Sequence, residues 1–144
     1  MQTIAIASDL SSIRLRELLT PWLRKQGYKV LDLGASIDYP DMAAKVAQAI
    51  KSKRVGRAIL VCRTGIGMSI AVNRFPFIRA ALLYSVRATK HARLHTDANV
   101  AVLAMDSFCT WRNKRFVKAF LTTEYSNLTR HARRVAKLAK LPKM

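Results

Sequence analysis

Residues 58–69 read Ala-Ile-Leu-Val-Cys-Arg-Thr-Gly-Ile-Gly-Met-Ser. An apolar run ends at Cys62, a turn carrying Thr64, Gly65 and Gly67 follows, and a helix-like stretch begins after it. In an open α/β sheet, ligands bind at the carboxyl ends of the strands. A glycine-rich turn there lets backbone N–H groups point at an anion, aided by the positive end of the next helix. A thiol at that point stands beside whatever the amides hold. The segment therefore predicts chemistry on a small, negatively charged molecule.

The same strand-then-helix rhythm extends in both directions. Residues 3–8 are apolar and small or β-branched, as in a buried parallel strand, and Ser8 and Asp9 end it. Residues 12–26 place Leu15, Leu18, Leu19, Trp22 and Leu23 on a helical stripe, with a kink expected at Pro21 and a stop at Gly27. Strands are predicted over 28–33, 57–62, 78–83 and 99–105, and helices over 41–51, 66–74, 85–94, 110–123 and 127–140. Gly34 to Pro40 reads as a loop. Regular alternation points to a parallel sheet with helices on both faces, a three-layer α/β/α Rossmann-like arrangement of five strands. No repeat or linker interrupts it, so residues 1–144 read as a single domain. The pattern does not give the strand order.

Composition limits the function. Hydrophobic residues make up 51%, which excludes a disordered chain. No apolar run approaches the roughly 20 residues needed to span a bilayer, so no membrane role is expected. The start lacks a basic leader region, and Cys62 and Cys109 read as free thiols, so the cytoplasm is the expected location. Lys and Arg total 26 against 8 Asp and Glu, a formal net charge of +18. Such a field attracts anionic substrates and polyanions alike. No nucleic-acid-binding module and no aromatic platform beside the basic tail are present, which argues against a nucleic-acid partner. The charge is read as a basic surface plus an anion site.

Cys62 is either a buried core cysteine or a thiolate whose pKa is lowered by Arg63 and a helix N-terminus. Gly65 and Gly67 either permit a tight turn or let the backbone approach a ligand. The third glycine of a dinucleotide fingerprint is missing, so no nucleotide cofactor is expected. His95, Thr96, Asp97 and Asn99 form a polar group between a helix and a strand, with His95 suited to proton transfer. His91, His95 and Asp97 outline a metal set without a third fixed ligand, and no metal is assigned. Arg130 and Arg134 are four apart on the last helix and suit a phosphate. Leu128, Ala132, Val135 and Ala139 form that helix's apolar stripe.

Taken in order, these pieces resemble the ribose-5-phosphate isomerase B family, which includes the galactose-6-phosphate isomerase subunits. Ser8-Asp9, Asp38-Tyr39-Pro40, Cys62 to Ser69, His95 to Asn99, and the tail Arg130 to Val135 carry the resemblance along almost the whole chain. It implies a cytoplasmic aldose–ketose isomerase of sugar phosphates, ribose 5-phosphate and ribulose 5-phosphate by default, with no metal or cofactor. It also implies a homodimer or homotetramer whose sites lie between subunits, with the C-terminal helix reaching to the partner. By position, the resemblance assigns Cys62 as the base, assisted by Thr64. The amides of Gly65, Ile66 and Gly67 would stabilise the enediolate, and His95 would open the sugar ring. Asp9, Arg63 and Thr96 would bind the substrate, with Asp9 helping at hydroxyls or in ring opening, and Arg130 and Arg134 would hold the phosphate.

Four positions depart from the family pattern. Leu10 stands where a histidine is usual, Arg63 replaces glycine, Thr96 replaces asparagine, and Asp106 occupies the place of an arginine. An aspartate there would repel phosphate. Two readings follow. In the first, Arg63 restores the lost positive charge and the enzyme acts on an altered sugar phosphate. In the second, the chain is a weak or inactive isomerase-like subunit or a sugar-phosphate binder. Persistence of Cys62, Thr64, both turn glycines, His95 and the arginine pair favours activity.

Overall fold

The structure is a computed structural model that describes residues 1–141. The chain runs β1 (Thr3–Asp9), a single 3-10 turn (Leu10–Ser12), α1 (Ile13–Lys25), β2 (Lys29–Ser36), α2 (Tyr39–Lys51), β3 (Arg57–Cys62), α3 (Ile66–Val72), β4 (Ala80–Leu82), α4 (Val86–Thr96), β5 (Val100–Ala104), α5 (Thr110–Thr122) and α6 (Thr129–Ala139). The five strands form one parallel sheet in the order β2-β1-β3-β5-β4. The Rossmann-like α/β expectation holds.

Strand periodicity builds the layers. Ala5, Ala7, Ala58, Leu60, Val100 and Val102 face α2 and α3, packing with Met42, Val46 and Met68. Ile4, Ile6, Ile59, Val61, Ala101 and Leu103 face the other way, onto Leu15, Leu19 and Leu23 of α1 and Phe116 and Phe120 of α5. Alternate residues thus enter opposite cores, which explains strands that read as unbroken apolar runs.

Several boundaries differ from the sequence reading. Pro21 lies inside α1 without interrupting it. Pro21 and Glu17 are both on the exposed side, so the carbonyl that loses its donor there is open to water. Leu18 of the expected stripe is exposed, while Leu15, Leu19 and Leu23 are buried. β2 continues to Ser36 through a register slip against β1, from Ile6 opposite Asp32 to Ser8 opposite Ala35. β4 shrinks to three half-buried residues at the sheet edge. Among the described residues no helix is long and apolar enough to cross a membrane.

The topology fixes where a ligand can sit. From β1 the chain steps to β2 on one side, then returns through α2 to β3 on the other. That reversal opens a crevice at the carboxyl ends of β1 and β3. Asp9 ends β1 and Cys62 ends β3.

Candidate active site

Cys62 is 6% exposed, and its Sγ lies 3.6 Å from Asp9 Oδ2. The other carboxylate oxygen is committed. Asp9 Oδ1 accepts from the Ser12 amide at 2.9 Å, from Ser11 Oγ at 3.1 Å, and from Ser12 Oγ. Ser12 is fully buried, and its Oγ also lies 3.0 Å from the Val61 carbonyl. Asp9 thereby caps the 3-10 turn while Ser12 braces it against β3, leaving Oδ2 turned to the sulfur. The sequence reading missed Ser11 and Ser12. The Asp9-x-x-Ser12 spacing, a helix-cap signature, was the available signal.

The turn after Cys62 needs glycine for two reasons. Gly65 has φ +77°, and a Cβ there would strike Leu82 Cδ1. A Cβ on Gly67 would lie 2.7 Å from Cζ of Tyr39, whose ring rests against the turn. Thr64 Oγ1 accepts the Ile66 amide at 3.3 Å, and the first bond of α3 is Ser69 N–H to Gly65 O at 3.0 Å. The Gly67 and Met68 amides precede that bond and have no acceptor within the helix.

Two of the departures meet. Arg63 Nε donates to Asp106 Oδ2 at 2.8 Å, and both side chains are exposed. The main chain joins the same loops, with the Asp106 amide bonded to Arg63 O at 3.0 Å and the Met105 amide to Cys62 O at 2.9 Å. The positive charge expected at Arg63 is therefore matched by a neighbouring carboxylate.

His95, Thr96, Arg130 and Arg134 do not join this group within one chain. α4 runs against the strands, so its C-terminus reaches the amino edge of the sheet. There the Asn99 amide bonds Arg79 O and the Ala58 amide bonds Asn99 O, at the starts of β4 and β3. The five residues of β5, about 17 Å of strand, separate that edge from the level of Cys62. The direction of this helix keeps the two residue groups apart within one chain.

At the amino edge, His131 of α6 is buried, with its ring centroid 4.3 Å from that of His95; His91 stacks on His95 at 4.6 Å. Ser126 Oγ donates to Leu94 O at 2.7 Å, so at its 2.7 Å contact with His131 it accepts from Nδ1–H. Burial, then His95, Arg130 and Arg134, push the His131 pKa below its usual value. Neutral His131 thus carries its proton on Nδ1 and offers Nε2 as an acceptor.

Asp97 and Asn99 are structural. Asp97 binds Arg79 at 2.8 Å and buried Arg93 at 2.9 Å, and Asn99 bonds the Arg79 amide and Phe77 O. Thr96 Oγ1 donates to Ala92 O of its own helix at 2.6 Å. With Asp97 committed, His91, His95 and Asp97 do not converge, and no metal-binding group of three or more occurs among the described residues. Arg130 and Arg134 are exposed and make no salt bridge among the described residues. Of the expected apolar stripe of α6, Ala132 and Val135 are half-buried while Leu128 and Ala139 are exposed, and Leu138 and Leu141 nearby are exposed as well. A groove of about 670 Å³, lined by Phe75, Ile78, Arg79, Thr96, Leu138 and Leu141, lies at this edge.

Comparison with known proteins gives consistent matches over nearly the whole chain. The model of the ribose/galactose isomerase family matches residues 4–138. A putative sugar phosphate isomerase of Rickettsia conorii is 37% identical, covering 94% of this chain and 96% of that protein. The D-erythrulose-4-phosphate isomerase of Pectobacterium atrosepticum is 35% identical, covering 87% and 86%. The crystal structure of a ribose 5-phosphate isomerase from Thermotoga maritima superposes with a TM-score of 0.93 at 40% identity, covering 97% of this chain and 99% of that one. Agreement in sequence, fold and length leaves one assignment: the chain belongs to the ribose/galactose isomerase family, whose members are sugar-phosphate isomerases.

Proposed function

We propose that this protein interconverts an aldose and a ketose sugar phosphate by moving a proton between C1 and C2 through an enediolate, in a site shared by two protomers. The observation that carries this reading is the Cys62–Asp9 contact at the β1/β3 crevice, followed in the chain by a turn whose Gly67 amide has no acceptor within α3. Abstraction of a proton beside a carbonyl needs a base and a seat for the charge that develops. Cys62 thiolate takes the C2 proton, the electron pair moves onto the carbonyl oxygen, and the amides of the Gly65–Gly67 turn face that oxyanion. Thr64 assists. The C2 hydroxyl proton passes to the C1 oxygen, and return of the first proton from sulfur to C1 completes the isomerisation. His95 protonates the ring oxygen to open the cyclic sugar while Asp9 accepts from a hydroxyl. Thr96 lies beside His95 at the substrate, and Arg130 and Arg134 hold the phosphate, which contributes orientation. No step calls on a metal or cofactor.

Separation of the two residue groups supports the shared site. So do Leu10, Ile37, Ile66, Ile70 and Tyr84, all more than half exposed along the carboxyl edge, and the uncovered side of α6. A second copy whose α6 and α4 end cap this edge would supply the missing acid and phosphate clamp, in a homodimer or homotetramer. Free thiols at Cys62 and Cys109 suit the reducing cytoplasm.

Relatives named for four-carbon and five-carbon substrates make both classes candidates, with ribose 5-phosphate and ribulose 5-phosphate as the default pair. Proton NMR in heavy water with a panel of tetrose, pentose and hexose phosphates tests the proposal. Deuterium entering at C1 or C2 of one of them is expected. No incorporation with any member would overturn it.

A further inference from the structure

The Arg63–Asp106 pair stands beside Cys62 on the side of β5, while Asp9 flanks the sulfur on the side of β1. Only Nε of Arg63 is engaged; Nη1 and Nη2 have no protein partner among the described residues. An exposed arginine samples many rotamers, but one whose Nε is fixed by a carboxylate presents its Nη edge in one direction. The main-chain bond from Asp106 N to Arg63 O holds the two loops in register beneath it. An acceptor thus stands on the β1 side of the sulfur, and an exposed guanidinium held through its Nε follows it in the chain on the β5 side.

Charge decides what those donors read. Guanidinium and carboxylate cancel, so a phosphate gains little from Arg63 that it does not lose to Asp106. Directional hydrogen bonds to a neutral oxygen are not cancelled in this way. We infer that Arg63 is a specificity-determining residue that hydrogen-bonds an uncharged hydroxyl or carbonyl oxygen of the sugar chain, with Asp106 as its positioning residue. The inference rests on the isomerase reading above. It assigns polyol recognition to the β5 side of the crevice and leaves the phosphate to α6.

The test uses steady-state kinetics on the sugar phosphate that exchanges best, with inorganic phosphate as a competitive inhibitor. Both side chains are exposed, so the variants retain the fold. Arg63→Ala raises KM by about tenfold, with a smaller loss in kcat and a phosphate Ki within about twofold of wild type. Asp106→Ala raises KM by about fivefold yet lowers the phosphate Ki, because the released guanidinium is no longer balanced. Asp106→Glu restores KM to within about twofold of wild type, and the double alanine variant is no worse than Arg63→Ala alone. An unchanged KM in Arg63→Ala, or KM and phosphate Ki rising together, would overturn the inference while wild-type exchange keeps the isomerase reading intact. Absence of exchange in the wild type removes both.

Discussion

Asp9 Oδ2 and Cys62 Sγ face each other at 3.6 Å across the ends of β1 and β3, although 53 positions separate them in the chain. The contact is produced by topology: β1 and β3 are neighbours only because β2 is placed on the far side of β1. It puts an acceptor and a thiol into a crevice that neither strand forms alone.

Replacing the sulfur tests its role as base. Cys62→Ala is expected to reduce C2-proton exchange by about 10³-fold, the scale of a lost general base. Removing one buried atom costs about 1 kcal/mol, a fall of a few degrees in Tm. Calorimetry beside the exchange assay separates the two effects. Full activity in a folded variant would remove Cys62 from the mechanism.

Placement of His95 and Cys62 on opposite edges of the sheet gives a sharper test of the shared site. Cys62→Ala and His95→Ala chains, each inactive alone, are mixed by co-expression. Half of randomly paired dimers are mixed, and one of their two sites is intact, so about a quarter of wild-type activity returns. A site built within one chain predicts no recovery.

Gly65 and Gly67 differ in what surrounds them. Gly65→Ala combines a left-handed backbone with a clash against Leu82, so a loss of about 2–5 kcal/mol is expected in denaturant titration. Gly67→Ala meets only the half-exposed Tyr39 ring, which can swing aside. Its loss is smaller, and Tyr39→Ala in the same chain relieves it. Equal losses at the two positions would contradict this difference.

His131 links stability to acidity. Its folded-state pKa is depressed, chiefly by burial, so protons bind the unfolded chain more readily. The contribution of the neutral ring is fully present above the unfolded value of about 6.5 and declines as pH falls through the lowered folded value. The stability margin of the wild type over His131→Gln is therefore larger at pH 7.5 than at pH 5. A margin independent of pH would show that the ring titrates alike in both states.

Much of this fold was legible because the buried strands are continuous apolar runs and the helices carry clear stripes. β3 matches its expected span at both ends. β2 and β4 do not, since a register slip and a short edge position leave no mark in hydropathy. Strand order was hidden for the same reason that the strands were visible: residues apolar on both faces do not name their neighbours. Within the site, the Cys62 turn announced itself locally. The separation of His95, Arg130 and Arg134 from Cys62 follows from the direction of α4, and the Arg63–Asp106 pairing joins residues 43 positions apart. Neither has a local signature.

The division of residues between the two ends of the sheet also bears on how such a chain can diverge. In the shared site proposed above, each copy would offer one half of a reaction centre at its carboxyl edge and another half at its amino edge. A duplicated gene that lost Cys62 would still lend His95 and the arginine pair to an intact sibling, and that sibling could in turn shed what it receives. Two unequal chains, neither self-sufficient, are thus a short mutational step from this architecture.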